Sequence, residues 1–437
     1  MTEEPSNIRS STVASMREAS PYIRLHRGET FVVYFDGEQM NGAVLDRLAQ
    51  DLILLRGLGV KLVVVHGARD QINSRLRGSN IQQEFVGNLR ITRTEALPHV
   101  KDAVSSVRIE LEARLTQAAL DVASRGNALT VAGGNFVIAR PAGIVNGVDL
   151  HFTGIVRRID RAAIERRLND GEIVLISPLG YSPTGEVFNL NSLDLATAVA
   201  TELIAAKMIL MMESPGVVDG DNIVVRELNV RDAREFVAAD QAGRLFLDCA
   251  IRACQFGVNR VHLVDQTVDG VLLAELFTRD GVGTLVSNTP FEQFRLATIE
   301  DVGGVLALIE PLEQEGFLVK RSREKLEIEI SHFSVLVRED TVIACGALYP
   351  FPNAIGELAC VAVHPDYRRY GFGNIVLQAL ERRARDAGLE EVFVLTTHAS
   401  HWFLQNGFLR SEIQELPIER QALYNLSRNS LVLRKRL

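Results

Sequence analysis

Between residues 357 and 388 the chain reads ELACVAVHPDYRRYGFGNIVLQALERRARDAG. An apolar strand ends at Val363. A loop follows with Arg368, Gly371 and Gly373 in the spacing R-x-x-G-x-G, and an amphipathic helix begins immediately after it. That arrangement suits a pyrophosphate. Glycine lets a backbone come close to a ligand. The first N–H groups of a helix lack partners within it, and the helix dipole favours negative charge there. Arg368 and Arg369 add positive charge. R-x-x-G-x-G alone is a weak signal, and a tight strand–helix turn with solvated arginines would also carry it. The strand before it, the basic loop and the helix after it give it weight.

The elements around this loop belong to a long chain. At 437 residues, and with roughly 100–200 residues per domain, two or three domains are expected. Hydrophobic content of 47% and charged content of 23% suit a globular protein. A net charge of −8 argues against nonspecific binding to nucleic acid or an anionic membrane. The polar amino terminus has no hydrophobic signal core, and no run of 18 apolar residues predicts a membrane span. The cytoplasm is the expected compartment. Cys249, Cys254, Cys345 and Cys360 form no metal-site spacing and read as core thiols in a reducing compartment.

Residues 1–15 read as disordered, and Met16 to Arg27 as a short helix. From Thr30, short apolar runs (FVVYF, KLVVVHG, LTVAGGNFVIAR, EIVLISPLG, MILMME, RVHLVD) alternate with helical patterns. This predicts a mainly parallel sheet covered on both faces, ending near GVGTLVS. After SNTPFEQ a separate α+β rhythm begins, with SVLVRE and TVIACGALYPF as antiparallel neighbours. The boundaries read as 1–27 for the disordered start and first helix, 28–287 for the first domain, 288–293 for a linker and 294–437 for the second domain.

The stretch 357–388 resembles motif A of the GNAT acetyltransferases. The resemblance implies acetyl-CoA as co-substrate and no metal. It places the CoA pyrophosphate on the loop residues Arg368, Arg369, Gly371, Phe372, Gly373 and Asn374. It places the pantetheine against the backbone of Cys360, Val361 and Val363. HWFLQNGF resembles the family's helix beside the pantetheine arm, although Trp402 and Phe403 read equally well as core aromatics.

Read whole, an amino-acid-kinase-like three-layer αβα domain precedes a GNAT domain. With HGARDQI, GNFVIARP, GVNRVHLVDQTVDGVLLAELFTRDGVGT, LVKRSREKLE, GELACVAV and SRNSLVLRKR, the chain from about residue 17 resembles the classical bacterial N-acetylglutamate synthases. That resemblance implies an L-glutamate site at Arg321, Arg428 and Ser430, flanked by Val319 and Lys320. Guanidinium forks bind carboxylates bidentately, which suits a dicarboxylate acceptor. Acetyl transfer needs a neutral amine and so a base, and Glu357 resembles the family's proposed base, directly or through water. A backbone amide near Cys360 or Val361 suits the oxyanion. Thr396 stands where the family offers a hydroxyl to the leaving thiolate. Because the amine attacks directly, Cys360 need not be a nucleophile.

The first domain resembles N-acetylglutamate kinase without its catalytic parts. Tyr34-Phe35-Asp36-Gly37 stands where such kinases carry Lys-x-Gly-Gly, Asn189-Leu190-Asn191-Ser192-Leu193 lacks the family's acid, and residues 241–254 contain no lysine. Phosphoryl transfer depends on that positive charge, so a regulatory or assembly role is expected instead. The end of the domain resembles the arginine site of arginine-inhibited kinases, which implies L-arginine as effector near His262, Glu275, Gly281 and Gly283. The helix with Tyr22 resembles their mobile ring-forming helix, and a homo-oligomer, a hexamer by resemblance, is implied. Two other readings stay open: a GNAT enzyme acting on another amine, and an arginine sensor whose second domain only binds CoA.

Overall fold

The structure is a computed structural model that describes residues 5–36, 42–122, 129–221, 223–236, 241–278, 281–288, 292–338, 341–425 and 428–437. The chain divides into two compact units, Met1–Thr289 and Pro290–Leu437.

The first unit is built on strands β1 (Thr30–Phe35), β2 (Lys61–His66), β3 (Val131–Gly133), β4 (Ile173–Ile176), β5 (Lys207–Met212), β6 (Glu227–Asn229), β7 (Arg260–Asp265) and β8 (Thr284–Ser287). Their order across the sheet is β6-β8-β7-β5-β1-β2-β4-β3. All neighbours run parallel except β7 and β8. Side chains alternate along a strand. Val32, Tyr34, Val63 and Val65 therefore enter one core, while Phe31, Val33, Phe35 and Val64 enter another on the opposite face. Helices α2 (Gly42–Gly57), α3 (Arg69–Gly78) and α4 (Ala96–Val122) feed the second core. Helices α5 (Ser192–Leu203) and α6 (Gln241–Gln255) feed the first. Burial on both faces is why these strands read as unbroken apolar runs. Four further strands close a small barrel at the side.

Helix α1 runs from Pro5 to His26, so a helix replaces most of the disorder expected over residues 1–15. Pro5 suits a helix's first position, where its fixed φ is already helical and its missing N–H costs nothing. LTVAGGNFVIAR also divides, into β3 and a barrel strand at Val137–Pro141, around Gly134 and Asn135.

In the second unit, β9 (Glu292–Leu296), β10 (Phe333–Arg338), β11 (Thr341–Phe351), β12 (Ile355–Val363), β13 (Glu391–Thr396), β14 (Leu409–Ser411) and β15 (Leu431–Arg436) form one sheet in the order β9-β10-β11-β12-β13-β15-β14. The expected antiparallel pair is β10 and β11. Helix α10 (Phe372–Asp386) lays Phe372, Val376, Leu377, Leu380 and Ala384 on one face of this sheet. Helices α8 (Val302–Gln314) and α9 (Arg323–Glu329) pack on the other, with Val302, Val305, Ile309 and Leu326 inside. The i, i+4 spacing of these buried residues gives each helix a single apolar stripe.

Candidate active site

The loop ahead of α10 has the geometry its sequence suggests. Gly371 sits at the helix cap with φ of 75°, a conformation that side chains disfavour. Asn374 and Ile375 donate back to the Gly371 carbonyl, so the helix's own bonding begins there. Arg368 and Asn374 are exposed, whereas Phe372 is buried against Tyr367. Phe372 can therefore meet a ligand only through its backbone. The Arg369 side chain lies outside the described residues. At Gly373 a Cβ would stand 3.3 Å from Cζ2 of Trp402 on α11 (Ser400–Gln405). That glycine therefore also makes room for the indole, which packs against the core beside Phe403.

Beyond this loop the sheet parts. β12 pairs with β13 only from Ile355 to Glu357, although the two strands continue to Val363 and Thr396. Past Glu357 no pairing joins them among the described residues. On its other edge β12 pairs with β11 around a bulge. Cys345 faces Ala362 and Ala347 faces Ala359, so Cys360 and Val361 together oppose Gly346. Cys360 takes φ of 50° there. A bulge re-aims the backbone next to it, which presents the Cys360–Val361 amides differently from a regular strand. The Cys360 thiol is packed in the α8–α9 core, and burial pushes it up to about 11. A thiol held protonated is a poor nucleophile, so Cys360 would contribute through its backbone.

Glu357 lies where the sheet begins to part and is buried, at 8% exposure. Arg420, on α12 (Ile418–Ala422), grips it with both prongs, Nε to Oε2 at 2.7 Å and Nη2 to Oε1 at 3.0 Å. Thr396 Oγ1 accepts the Ala399 N–H at 3.0 Å, which leaves the hydroxyl proton for another acceptor.

The acceptor-side residues converge from three segments. Arg428 Nη2 donates to the carbonyls of Gly316 and Phe317, and the Phe317 ring stacks on His398 at 4.3 Å. Arg321 Nη1 donates to Val319 O, and its N–H meets Glu313 at 3.0 Å. The Nε atoms of both Arg321 and Arg428 are buried without a partner among the described residues. Such a donor carries a desolvation penalty that an arriving acceptor relieves. Val319 and Lys320 are exposed beside it, and the Ser430 carbonyl accepts from the Tyr424 hydroxyl.

Arg420, Tyr349 and Glu329 went unnoticed in the sequence. Tyr349 stands directly across from Glu357 on β11, and its hydroxyl donates to Glu329 at 2.8 Å. Counting outward from the turn at Asn353 and Ala354, both at positive φ, would have paired positions 349 and 357.

In the first unit, the effector residues gather at the end of the sheet. Glu275, on α7 (Val271–Phe277), accepts from His262 Nδ1 at 2.6 Å and from the N–H groups of Val282 and Gly283 at 2.6 and 2.8 Å. Burial pushes this carboxyl up, but His262 and the loop amides outweigh it and hold it at about 2. Gly281 sits at φ of 58°, and a Cβ there would stand 2.6 Å from Glu275 Oε2. Buried Lys207, missed in the sequence, places Nζ 3.3 Å from His262 Nε2. Tyr22 is buried on α1, whose His26 bonds Leu276 O on α7 at 2.8 Å.

A separate cleft of about 440 Å³ borders Tyr34, Asp36, Arg69, Arg90, Asn189 and Phe246. Here the expected loss of kinase parts has a structural counterpart. Asp36 lies so near Gly67 that a Cβ there would stand 2.1 Å from its carboxylate. An acid at that corner repels phosphate. Gly37 lies outside the described residues.

A sheet that parts over a glycine-capped helix start marks an acetyl-CoA-type transferase fold, here following an amino-acid-kinase-like sheet. The amino acid kinase family matches residues 29–265, and the acetyltransferase (GNAT) family matches residues 304–408. An amino-acid acetyltransferase of Azotobacter vinelandii is 50% identical over 97% of this chain and 98% of its own. A Pseudomonas putida enzyme of the same name shares 50% over 97% and 98%. The crystal structure of N-acetylglutamate synthase from Neisseria gonorrhoeae with coenzyme A and L-arginine matches with a TM-score of 0.88 at 36% identity, covering 97% of this chain and 99% of that one. The same enzyme with coenzyme A and N-acetyl-glutamate matches with a TM-score of 0.62 over the same shares. The chain belongs to the amino-acid acetyltransferase family.

Proposed function

We propose that this chain transfers the acetyl group of acetyl-CoA to the α-amino group of L-glutamate, giving N-acetyl-L-glutamate and CoA. The observation that carries the reading is the pairing of two features in one unit. The sheet parts over the α10 start on one side, while Arg321 and Arg428 hold buried, unpartnered Nε donors on the other. The first suits a pantetheine arm ending in a pyrophosphate. The second suits an acceptor with two carboxylates. A cationic acceptor would want carboxylates there instead.

In the reaction, Glu357 takes a proton from the substrate ammonium, directly or through water. The freed amine attacks the thioester carbonyl. The bulge amides at Cys360 and Val361 stabilise the oxyanion. As the intermediate collapses, the C–S bond breaks and the Thr396 hydroxyl supplies a proton to the departing thiolate. The second proton of the nitrogen leaves to solvent.

L-Arginine is the proposed effector, bound near Glu275, His262, Gly281 and Gly283, with Tyr22 on the adjoining α1. The gonococcal synthase was solved with L-arginine, which supports this reading. The first unit is proposed as regulatory and oligomer-forming, without phosphoryl transfer. A homo-oligomer, a hexamer by family resemblance, working in the cytoplasm completes the proposal. No helix among the described residues is long and apolar enough to cross a membrane.

Thiol release from acetyl-CoA, measured across amino acids and amines with and without arginine, tests the whole. Release with glutamate, suppressed by arginine, is the expected result. Release with a different amine would replace the substrate, and no release with any acceptor would leave an arginine sensor with a CoA-binding module.

A further inference from the structure

Three arginines converge on the acceptor side of the second unit, and their hydrogen bonding separates them. Arg321 and Arg428 donate only to backbone carbonyls and keep a buried Nε with no partner among the described residues. Arg420 differs. Its Nε and Nη2 hold both oxygens of Glu357, and its Nη1 donates to Leu423 O at 3.2 Å. All three guanidinium nitrogens are engaged.

The segment that delivers Arg420 is fastened independently of Glu357. Gln421 Nε2 donates to Gln414 O at 2.9 Å and Leu416 O at 2.7 Å. Leu416 is buried with Phe393 and Val432. The Tyr424 hydroxyl donates to Ser430 O at 2.6 Å. These contacts set the α12 backbone, so the guanidinium fork reaches Glu357 from a fixed base.

We infer that Arg420 is a positioning residue for the acetyl transfer: it orients the Glu357 carboxylate and favours its charged form where the sheet parts, and it does not bind the acceptor. The inference rests on the reading of Glu357 as proton acceptor. The titratable and charged groups that face Glu357 are Arg420 from α12, Tyr349 across the β11–β12 pair and Cys360 on its own strand. Glu329 on α9 is engaged by the Tyr349 hydroxyl, and Phe393 on β13 brings no charge. Arg420 is the one cation among these that touches the carboxylate. Its fork also fixes the plane of the carboxyl group, which a point charge would leave free to turn.

The test compares Arg420→Gln and Arg420→Lys with the unaltered enzyme across pH. Arg420→Gln removes the cation that favours the charged carboxylate. The acidic limb of kcat/KM, which reports the free enzyme, should move to higher pH. Its kcat should fall between about tenfold and a hundredfold, with the glutamate KM unchanged. Arg420→Lys keeps the charge and loses the fork. It should hold the acidic limb in place while kcat still falls, and this variant keeps the test alive if Arg420→Gln does not fold. A raised glutamate KM with the limb unmoved would make Arg420 a substrate clamp and overturn the inference. A wild-type kcat in Arg420→Lys would overturn the orienting role. Glu357→Gln separates the two layers. If it keeps the wild-type rate, the reading of Glu357 itself ends. If it is slow while Arg420→Gln is unaffected, only the role of Arg420 ends. Losses from the two substitutions combined should fall short of their sum, since both act through one carboxylate.

Discussion

The clefts of the two units handle their polar groups in opposite ways. In the first unit, the closed end of the cleft beside β1 and β2 is internally satisfied. His66 bonds Gly67 O and Ser177, Asp36 lies against Gly67, and the Tyr34 hydroxyl reaches Ser192 at 3.3 Å. Burial pushes the His66 imidazole down to about 4, so it is neutral at physiological pH. Walls and volume persist while the charge that would receive a phosphate does not. In the second unit, two arginine Nε atoms stay buried without partners, and two strands stop pairing in mid-course. An unsatisfied buried donor costs about 1–3 kcal/mol, so a fold retains one where a ligand repays it. The comparison shows a scaffold that has outlived its chemistry beside one that still awaits its ligand.

The sharpest way to break this contrast is Glu357→Gln. Loss of the base should lower kcat by about a hundredfold or more while CoA binding persists. Single-turnover acetylation checks this, and a wild-type rate would remove Glu357 from the chemistry. Next, Arg428→Ala should raise the glutamate KM by about 30- to 100-fold, the scale of a lost charge-assisted contact. Steady-state kinetics with CoA affinity measured in parallel would show whether the change is confined to the acceptor. Glu275→Ala frees the 281–283 loop and His262. It should weaken arginine inhibition by about tenfold, within the usual range of coupling energies, with little change in the uninhibited rate. An inhibition curve identical to that of the unaltered enzyme would move the effector elsewhere. The smallest effect belongs to the silent cleft: Arg69→Ala should leave the transferase kcat/KM within about twofold, as surface changes away from special features do. A large loss there would show that the first unit's cleft serves the reaction.

Much of this was legible in the residues. The apolar strands of the first unit announced a sheet buried on both faces, because Val32 and Val33 must enter different cores. R-x-x-G-x-G announced the helix start because Gly371 needs its positive φ. What escaped notice depended on tertiary pairing. Arg420 comes from a short helix 63 residues after Glu357, and nothing in IERQA marks it. Tyr349 could have been placed only by finding the hairpin turn, and Asn353-Ala354 lacks the glycine that usually signals one. Lys207 opens an otherwise apolar strand and reads as exposed until β7 covers it. The early start of α1 escaped because its sequence is polar all round, a pattern that periodicity cannot separate from coil.

The parting of β12 from β13 leaves the molecule with two inward-looking edges in the middle of a sheet. Exposed edges usually invite another strand and are blunted by charge or bulges. Here the invited strand is a cofactor arm, whose amide groups can continue the ladder that the chain breaks off. Acetyl-CoA then acts as a removable rung of the fold. The backbone amides from Ala359 to Val363 would exchange with solvent most readily in the resting protein. They would become protected when the arm is seated, so the second unit reaches its full hydrogen-bonded structure only while it holds its acetyl donor.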